Sequence, residues 1–341
     1  MDVPTWVWLA TVGGLGVLFA LDLVIVDRKP HEVGMAEAAR WAVFYLACAA
    51  VFGLGVWLFA GSGFAVEYFA GYLTEYSLSV DNLFVFVVIM AAFKVPAIQQ
   101  HRVLLIGIAL ALAMRGLFIA AGAALISRFS WVFYLFGVLL VYLGWRQIRQ
   151  RKQNPELQDN AVPRALRKLI PVTDEYDGSR LTVKRGGKRR LTPMIVVMIA
   201  IGFVDLIFAM DSIPAIFGLT REPFLVFTAS AFALMGLRQV YVLIGELLTR
   251  IVYLSIGLGV ILGFIGVKLV LDALNENSLP FLNDGQPIDS VPTVGIELSL
   301  GVIVGVLLVT TVASLLTTRR HRHARQPARG EAISSRAGGR G

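Results

Sequence analysis

The chain has 341 residues and a formal net charge of +8; 57% of its residues are apolar and only 16% are charged, below the roughly 25% of a soluble domain. With a mean hydropathy of +0.72, this composition excludes a disordered chain, a collagen-like chain and an ordinary cytosolic domain. Its one cysteine, Cys48, excludes an intrachain disulfide and a cysteine-based zinc site.

Long apolar runs dominate the chain and indicate that its solvent is a lipid bilayer. A helix needs about 20 apolar residues to cross a bilayer, and nine segments meet this need: 4–26, 40–60, 67–92, 103–126, 130–147, 192–216, 223–247, 251–273 and 293–316. We therefore predict an all-α polytopic membrane protein of about nine transmembrane helices within residues 1–318. The first segment is not read as a cleavable signal peptide, because no basic residue precedes it and Arg28 and Lys29 follow it.

Lysine and arginine are distributed unevenly between the predicted loops. With the N-terminus outside, 26 of the 31 lie on the inner side, whereas the outer loop 274–292 has three acids and no base. The positive-inside rule then places the N-terminus outside and the C-terminus in the cytoplasm. The positive charge is thus explained by topology and by attraction to membrane lipid, and no nucleic-acid partner is expected.

Residues 148–191 form a large basic loop on the cytoplasmic side. Within it, RLTVKRGGKRRLT (180–192) predicts a β-hairpin with Gly186 and Gly187 at the turn. Residues 163–170 fit either a short basic helix on the membrane surface or a partly ordered linker. The tail 319–341 is rich in Arg, Gly, Ser and Ala and is predicted to be disordered.

An acidic pattern in the third span recurs in the sixth. Both read acid, five residues, acid and then a small polar residue: Glu75, Asp81 and Asn82, then Asp205, Asp211 and Ser212. Spans 3–5 (about 67–148) therefore resemble spans 6–8 (about 192–273). Because three spans is an odd number, we predict an inverted repeat, which is typical of secondary transporters with a site near the midplane.

The same match continues beyond the acidic segments. Met114-Arg115-Gly116 in the fourth span corresponds to Gly236-Leu237-Arg238 in the seventh, and residues 124–144 parallel residues 246–266. The recurrence of ionisable positions in the same order favours a repeat over chance similarity between apolar helices.

Acids inside a membrane span must face protein or water, because each costs about 2.5–3.5 kcal/mol at the bilayer centre. At 100° per residue Glu75 and Asp81 lie 120° apart, so they face different neighbours, whereas Glu75, Ser79 and Asn82 share one stripe. In the sixth span Pro214 deprives the Met210 carbonyl of its helical partner and adds a possible oxygen ligand.

The candidate ligands are all oxygens, since no histidine lies in a predicted span. The candidate metal-binding residues are Glu75, Asp81, Asn82, Asp205, Asp211 and Ser212. Such a set suits Mg²⁺, Mn²⁺ or Ca²⁺ rather than Zn²⁺ or Cu⁺. With Arg115 and Arg238 as countercharges, four carboxylates retain two negative charges, which one divalent cation or protons would balance. Buried ion pairs that only fix helix packing are the structural alternative.

The segments GYLTEYSLSVDNLFVF (71–86) and VDLIFAMDSIPAIF (204–217) resemble the two signature segments of the TerC/Alx family. The resemblance covers about residues 15–315 and includes HRVL (101–104) and PVTDEYDG (171–178). This family is named for tellurium resistance, and the resemblance implies a superfamily of inverted-repeat transporters and a link to manganese export. It also implies that the six candidate residues occupy the family's metal-site positions.

Two positions depart from the family pattern. Gly202 stands where members commonly have a glutamate, and Tyr76 stands where they often have a lysine. The loss of one potential ligand and one neighbouring charge implies that metal preference or stoichiometry differs in this chain.

The function that these patterns favour is export of a divalent cation, Mn²⁺ first and Ca²⁺ second, with a proton or the membrane potential as driving force, because no nucleotide-binding motif is present. The alternative is a partner of the secretion machinery that delivers metal to exported proteins. An intramembrane aspartyl protease is disfavoured because neither Asp81 nor Asp211 lies in its Tyr-Asp or Gly-x-Gly-Asp motif. We therefore expect no enzyme and no permanently bound cofactor.

Overall fold

The computed structural model describes residues 1, 3–27, 34–93, 95–129, 131–150, 182–185, 188–244, 253–277, 279, 282–288 and 290–325. The helices of the first half are α1 (Thr5–Asp27), α2 (Met35–Ala60), α3 (Ser62–Ala92), α4 (Ala97–Arg128) and α5 (Val132–Gln150). Those of the second half are α6 (Pro193–Phe217), α7 (Pro223–Met235), α8 (Leu237–Ile244), α9 (Leu254–Asn275) and α10 (Ile296–Arg325). The membrane part is all-α, as predicted.

Seven of the described segments are long and apolar enough to cross a membrane. They are α2, α3, α4, α6, α9, α10 and the pair α7–α8, which counts as one segment over Pro223–Leu243. The first predicted span corresponds to α1, whose 23 residues include the apolar stretch Thr5–Leu21, and α5 has 19 residues that end in a basic turn. The seven segments agree with a polytopic membrane protein, and the number nine stays a prediction.

The large basic loop contains the predicted hairpin. Strands β1 (Thr182–Arg185) and β2 (Lys188–Leu191) pair antiparallel, with Thr182 opposite Leu191 and Arg185 opposite Lys188. The turn at 186–187 and the segment 163–170 lie outside the described residues. At the other end of the chain, α10 continues past the predicted boundary at Thr318 to Arg325, and residues 326–341 also lie outside the described part.

Local sequence explains where several helices begin. Pro193 and Pro223 occupy the first turns of α6 and α7, where a missing N–H costs no hydrogen bond and a fixed φ favours helix. Between α2 and α3 the chain turns at Gly61 with φ of +105°, a conformation that a residue with a Cβ rarely adopts. This single residue reverses the chain and leads directly into the helix of Glu75 and Asp81.

The two predicted repeat units exchange helix partners. Helix α3 of the first unit packs on α7 of the second, and α4 of the first packs on α6 of the second. A twofold relation between the units requires this exchange, which therefore supports the predicted inverted repeat without establishing it.

Helices α5 and α9 pack antiparallel with their backbones in direct contact. A Cβ on Gly137 would lie 2.8 Å from the Gly266 carbonyl oxygen, and one on Gly144 would lie 2.5 Å from the Gly259 carbonyl oxygen. Gly137 aligns with Gly259 and Gly144 with Gly266 in the repeat, so each contact joins unlike positions, as at a twofold axis. Glycine permits this close approach, as small residues do between membrane helices.

We expect Gly144→Ala to destabilise the α5–α9 pair by about 1–3 kcal/mol, because the new methyl group meets backbone that cannot move aside. The matched control is Gly263→Ala on α9, where a Cβ would have nothing within 4 Å. Thermal unfolding in detergent, followed by tryptophan fluorescence, measures both variants. Equal unfolding midpoints for the two would contradict a tight glycine contact.

The outer surface of the bundle is apolar. Phe59 on α2 is 93% exposed, and Trp6, Leu9 and Val309 on α1 and α10 are 69–70% exposed. A surface of large apolar side chains is stable only against lipid. The buried polar residues of the core are therefore unusual, because both the outer surface and most of the packed interior are apolar.

Candidate functional site

The centre of the bundle contains a buried ion pair between α4 and α3. Arg115 and Glu75 are both fully buried, and Arg115 Nη1 contacts Glu75 Oε1. One turn further along α3, Ser79 Oγ donates a hydrogen bond of 3.2 Å to the same oxygen. Each charge stabilises the other in a place where either one alone would be costly.

Asp205 of α6 lies on the opposite side of the same guanidinium. Its Oδ1 is 4.0 Å from Arg115 Nη2, and the residue is 3% exposed. Asp211, on the next stripe of α6, interacts electrostatically with both Arg115 and Asp81. Arg115 therefore connects acids from both predicted repeats, with Glu75 and Asp205 at its guanidinium.

The axial register of the helices shows how the acids are layered. Gly71 of α3 lies against Ile216 of α6, where a Cβ on the glycine would be 3.4 Å from the isoleucine Cγ2 atom. Because α3 and α6 run in opposite directions, Glu75, four residues after Gly71, lies near the level of Ser212, four residues before Ile216. Asp81, six residues further, then lies about 9 Å deeper, near the level of Asp205. The site thus has two levels, with Arg115 between them.

Several buried oxygens of this region have no hydrogen-bond partner within the described residues. They are Thr74 Oγ1, Glu75 Oε2, Asp205 Oδ2 and Ser212 Oγ. A buried polar atom without a partner costs about 1–3 kcal/mol, so these oxygens need a ligand, a water or a cation. Thr74 was not among the candidate residues, although its hydroxyl precedes Glu75 directly in the sequence.

Asp81 faces a different set of neighbours, as the 120° separation from Glu75 predicts. Gln147 of α5 donates its Nε2 to Asp81 Oδ2 at 3.0 Å, and Ser255 of α9 donates its Oγ to Oδ1 at 2.9 Å. Both carboxylate oxygens are therefore held by neutral donors from the glycine-packed helix pair. Sequence reasoning missed Gln147 and Ser255, whose only signal was a polar side chain near the end of an apolar segment.

The remaining candidates differ in how deeply they are buried. Asn82 and Asp211 are partly buried, Ser212 is fully buried, and Arg238 is 4% exposed on α8. The described ion pairs of the site acids involve Arg115. Of the two predicted countercharges, Arg115 lies against Glu75 and Asp205.

Pro214 has a smaller effect than a broken helix would have. Helix α6 continues through it to Phe217. The Met210 side chain is 61% exposed, so the carbonyl that Pro214 leaves free lies on the outward side of α6 rather than toward Arg115. The Met210 carbonyl is therefore not a ligand in this arrangement, because a backbone carbonyl lies on nearly the same side of a helix as its own side chain.

The acids are not gathered into one coordination shell. Among the described residues, no group of three or more His, Cys, Asp or Glu side chains is close enough to hold a metal ion. Glu75 and Asp205 are instead bound to Arg115, and Asp81 is bound to Gln147 and Ser255. Helices α3 and α6 thus carry oxygen atoms of the kind that bind a hard cation, but side chains of the protein occupy the carboxylates of Glu75, Asp205 and Asp81.

Comparisons with known proteins agree on one family. A profile of the "Integral membrane protein TerC family" matches residues 60–322. An uncharacterized membrane protein of Mycobacterium tuberculosis is 46% identical over 325 residues, which are 94% of this chain and 81% of that protein. No protein of solved structure matches the chain at a significant level.

Two further relatives extend the comparison to other organisms. The thylakoid membrane protein TERC of Arabidopsis thaliana is 44% identical over 224 residues, 66% of this chain and 58% of the plant protein. Alx of Escherichia coli, whose name describes a membrane-bound redox modulator, is 33% identical over 316 residues, 90% of this chain and 93% of Alx.

Proposed function

Since this chain belongs to the TerC family of integral membrane proteins, we propose that it is a secondary transporter that exports a divalent cation, with Mn²⁺ as its preferred substrate. The observation that supports this proposal is the set of buried oxygens without partners on α3 and α6, two of which belong to the carboxylates Glu75 and Asp205. A cation at the level of Arg115 would supply the charge and the contacts that these oxygens lack.

The charge of the central cluster has the right sign for such a substrate. Glu75 and Asp205 lie at the guanidinium of Arg115 and Asp211 interacts with it electrostatically, which leaves an excess of negative charge when all are ionised. Low dielectric strengthens the attraction for a divalent cation and makes the empty, fully ionised site costly. Protons are the natural competitor for the same carboxylates, which gives a physical basis for coupling cation export to proton entry.

The carboxylates must rearrange when the cation binds. Asp81 would give up its hydrogen bonds from Gln147 and Ser255 to bind the cation, and the Glu75 carboxylate would move away from Arg115. Because Gln147 and Ser255 sit on the glycine-packed pair α5–α9, this exchange would release that pair from α3. Substrate binding is thereby connected to relative movement of two helix groups, as alternating access requires.

Uptake into sealed vesicles that contain only the purified protein tests the proposal, with Mn²⁺, Mg²⁺, Ca²⁺, Zn²⁺ and Fe²⁺ compared. We expect Mn²⁺ flux that Ca²⁺ inhibits measurably and Mg²⁺ only poorly, because Mg²⁺ dehydrates reluctantly. Carboxylates bind metal in their ionised form, so Mn²⁺ affinity should fall as the pH is lowered. Tight Zn²⁺ binding without Mn²⁺ binding, or Mn²⁺ affinity unchanged down to about pH 4, would contradict an oxygen-ligand site.

A second function uses the same site. The chain would receive the cation and deliver it to proteins of the secretion machinery, docking them through its cytoplasmic loop or tail. Mn²⁺ counterflow in vesicles that lack every other protein distinguishes export from delivery, because delivery alone requires a partner. A dithiol redox function is disfavoured, since one cysteine provides no intrachain thiol–disulfide couple.

The proposed location is the bacterial inner membrane, with the N-terminus outside and the C-terminus in the cytoplasm. The support is the excess of Lys and Arg in the loops assigned to the inner side. A membrane-impermeant thiol reagent would then label a cysteine placed at Asn283 in intact cells and spare one at Gly187.

A further inference from the structure

A polar cavity of about 370 Å³ lies at the end of the bundle that the predicted topology places outside. It is bounded by the first turns of α3, by the segment that follows α6, and by the last turns of α9. Its polar lining side chains are Glu67, Thr220, Arg221, Glu222, Lys268 and Asp272. Nothing in the cation site described above uses these residues.

Lys268 is the most deeply placed cation of this cavity. The residue is 9% exposed, and its Nζ donates to the Gly218 carbonyl oxygen and to Asp272 Oδ2, both at 2.9 Å. Gly218 caps the C-terminal end of α6, where carbonyl groups have no helical donor and the helix dipole attracts positive charge. The Lys268 ammonium therefore lies where the Gly218 carbonyl, the Asp272 carboxylate and the C-terminal end of α6 all favour a positive charge.

The other charges of the cavity are already partly balanced. Glu222 pairs with the Met1 amino group at 2.5 Å, and Glu67 accepts a hydrogen bond from Thr220 Oγ1 at 2.5 Å. Arg221 extends to Glu276, where both side chains are about half exposed. Lys268 pairs with Asp272 and interacts electrostatically with Glu67, so removal of Lys268 would leave both acids with less positive charge nearby.

The cavity is aligned with the cation site along a single helix. Asp211 precedes Gly218 by seven residues on α6, which is about 10 Å at 1.5 Å per residue. Between them lies an apolar cluster of Ile119, Ile213, Ile216, Phe217 and Val226. This apolar layer separates the cavity from the acids that lie at Arg115.

We propose that this cavity is the mouth through which the divalent cation leaves, and that the Lys268 ammonium holds the cation's place there and keeps exported cations from returning. This proposal rests on the proposed function. A cation that passes the apolar cluster meets the Gly218 carbonyl, Asp272 and Glu67, and the tethered ammonium then displaces it toward the outside. Lys268 thus controls passage through the cavity and does not bind the cation at the central acids, because it lies beyond the apolar cluster.

The test counts Mn²⁺ ions bound to purified protein by electron paramagnetic resonance, in an Asp211→Asn background that removes the central site. Adding Lys268→Met should create one weak Mn²⁺ equivalent, and adding Asp272→Asn as well should abolish it. The matched control is Arg221→Met, which removes a charge from the same cavity but not from Gly218 or Asp272, and it should create none. Lys268→Gln replaces the methionine variant if that variant does not fold.

A flux measurement links the cavity to transport. In the otherwise unchanged chain, Lys268→Met should make external Mn²⁺ inhibit export at a concentration about tenfold lower, because the exported ion is no longer displaced. If Lys268→Met binds no more Mn²⁺ than Arg221→Met, the gating role is wrong whether or not the protein transports. If the unchanged chain transports no Mn²⁺ while Lys268→Met still gains a binding equivalent, the proposed function fails and the cavity stands as a cation site.

Discussion

Replacement of Asp211 by asparagine should abolish Mn²⁺ transport while the helical bundle still assembles. Asparagine keeps the size of the side chain but removes the negative charge, and it turns one ligand oxygen into an amide that repels a cation. Asp211 interacts with Arg115 and Asp81, so its loss also lets Arg115 bind the remaining acids more tightly. We expect transport to fall by at least about 100-fold, the upper range for groups that support a metal site.

Asp81→Asn should have the same result by a related route. Asp81 receives hydrogen bonds from Gln147 and Ser255, and an asparagine amide would face one of these donors with a donor of its own. The variant is therefore expected to insert and fold, but to lose both a ligand and the movable contact between α3 and the α5–α9 pair.

Both variants are measured by Mn²⁺ flux in vesicles, with size-exclusion chromatography as the check on folding. Glu276→Gln is the control, because it removes an acid that is about half exposed and pairs with Arg221 in the loop region. It should transport at the rate of the unchanged chain. If either aspartate variant did so as well, the cation site would be misplaced.

The sequence predicts the helices of this fold well because apolar runs of membrane length leave the backbone few alternatives. It also predicts that Glu75 and Asp81 face different neighbours, since this follows from the 100° turn per residue alone. The number of spans is harder to predict. Helix α5 has 19 residues and ends in a basic turn, so composition does not separate a full crossing from a partial one.

The identity of the neighbours is decided by packing, which one sequence does not reveal. Gln147 and Ser255 meet Asp81 only because glycines let α5 and α9 approach to backbone contact. The direction of the Met210 carbonyl likewise depends on which side of α6 is covered. Both are properties of helix pairs, whereas hydropathy and helical periodicity describe single helices.

The largest effect on folding is expected for Arg115→Gln. This change leaves Glu75 and Asp205 buried beside a neutral amide, and removal of one partner from a buried ion pair typically costs about 3–5 kcal/mol. Expression level and the thermal unfolding midpoint in detergent should both fall sharply. An unchanged midpoint would show that Arg115 contributes no net stability.

The double variant Glu75→Gln/Arg115→Gln separates the structural role of this pair from its role in transport. With both charges removed, the buried site loses its uncompensated carboxylate, so we expect the unfolding midpoint to recover most of the loss caused by Arg115→Gln alone. Transport should stay absent, because Glu75 would no longer bind the cation. Recovery of folding together with transport would instead mean that the Glu75–Arg115 pair only fixes helix packing and that the cation passes elsewhere.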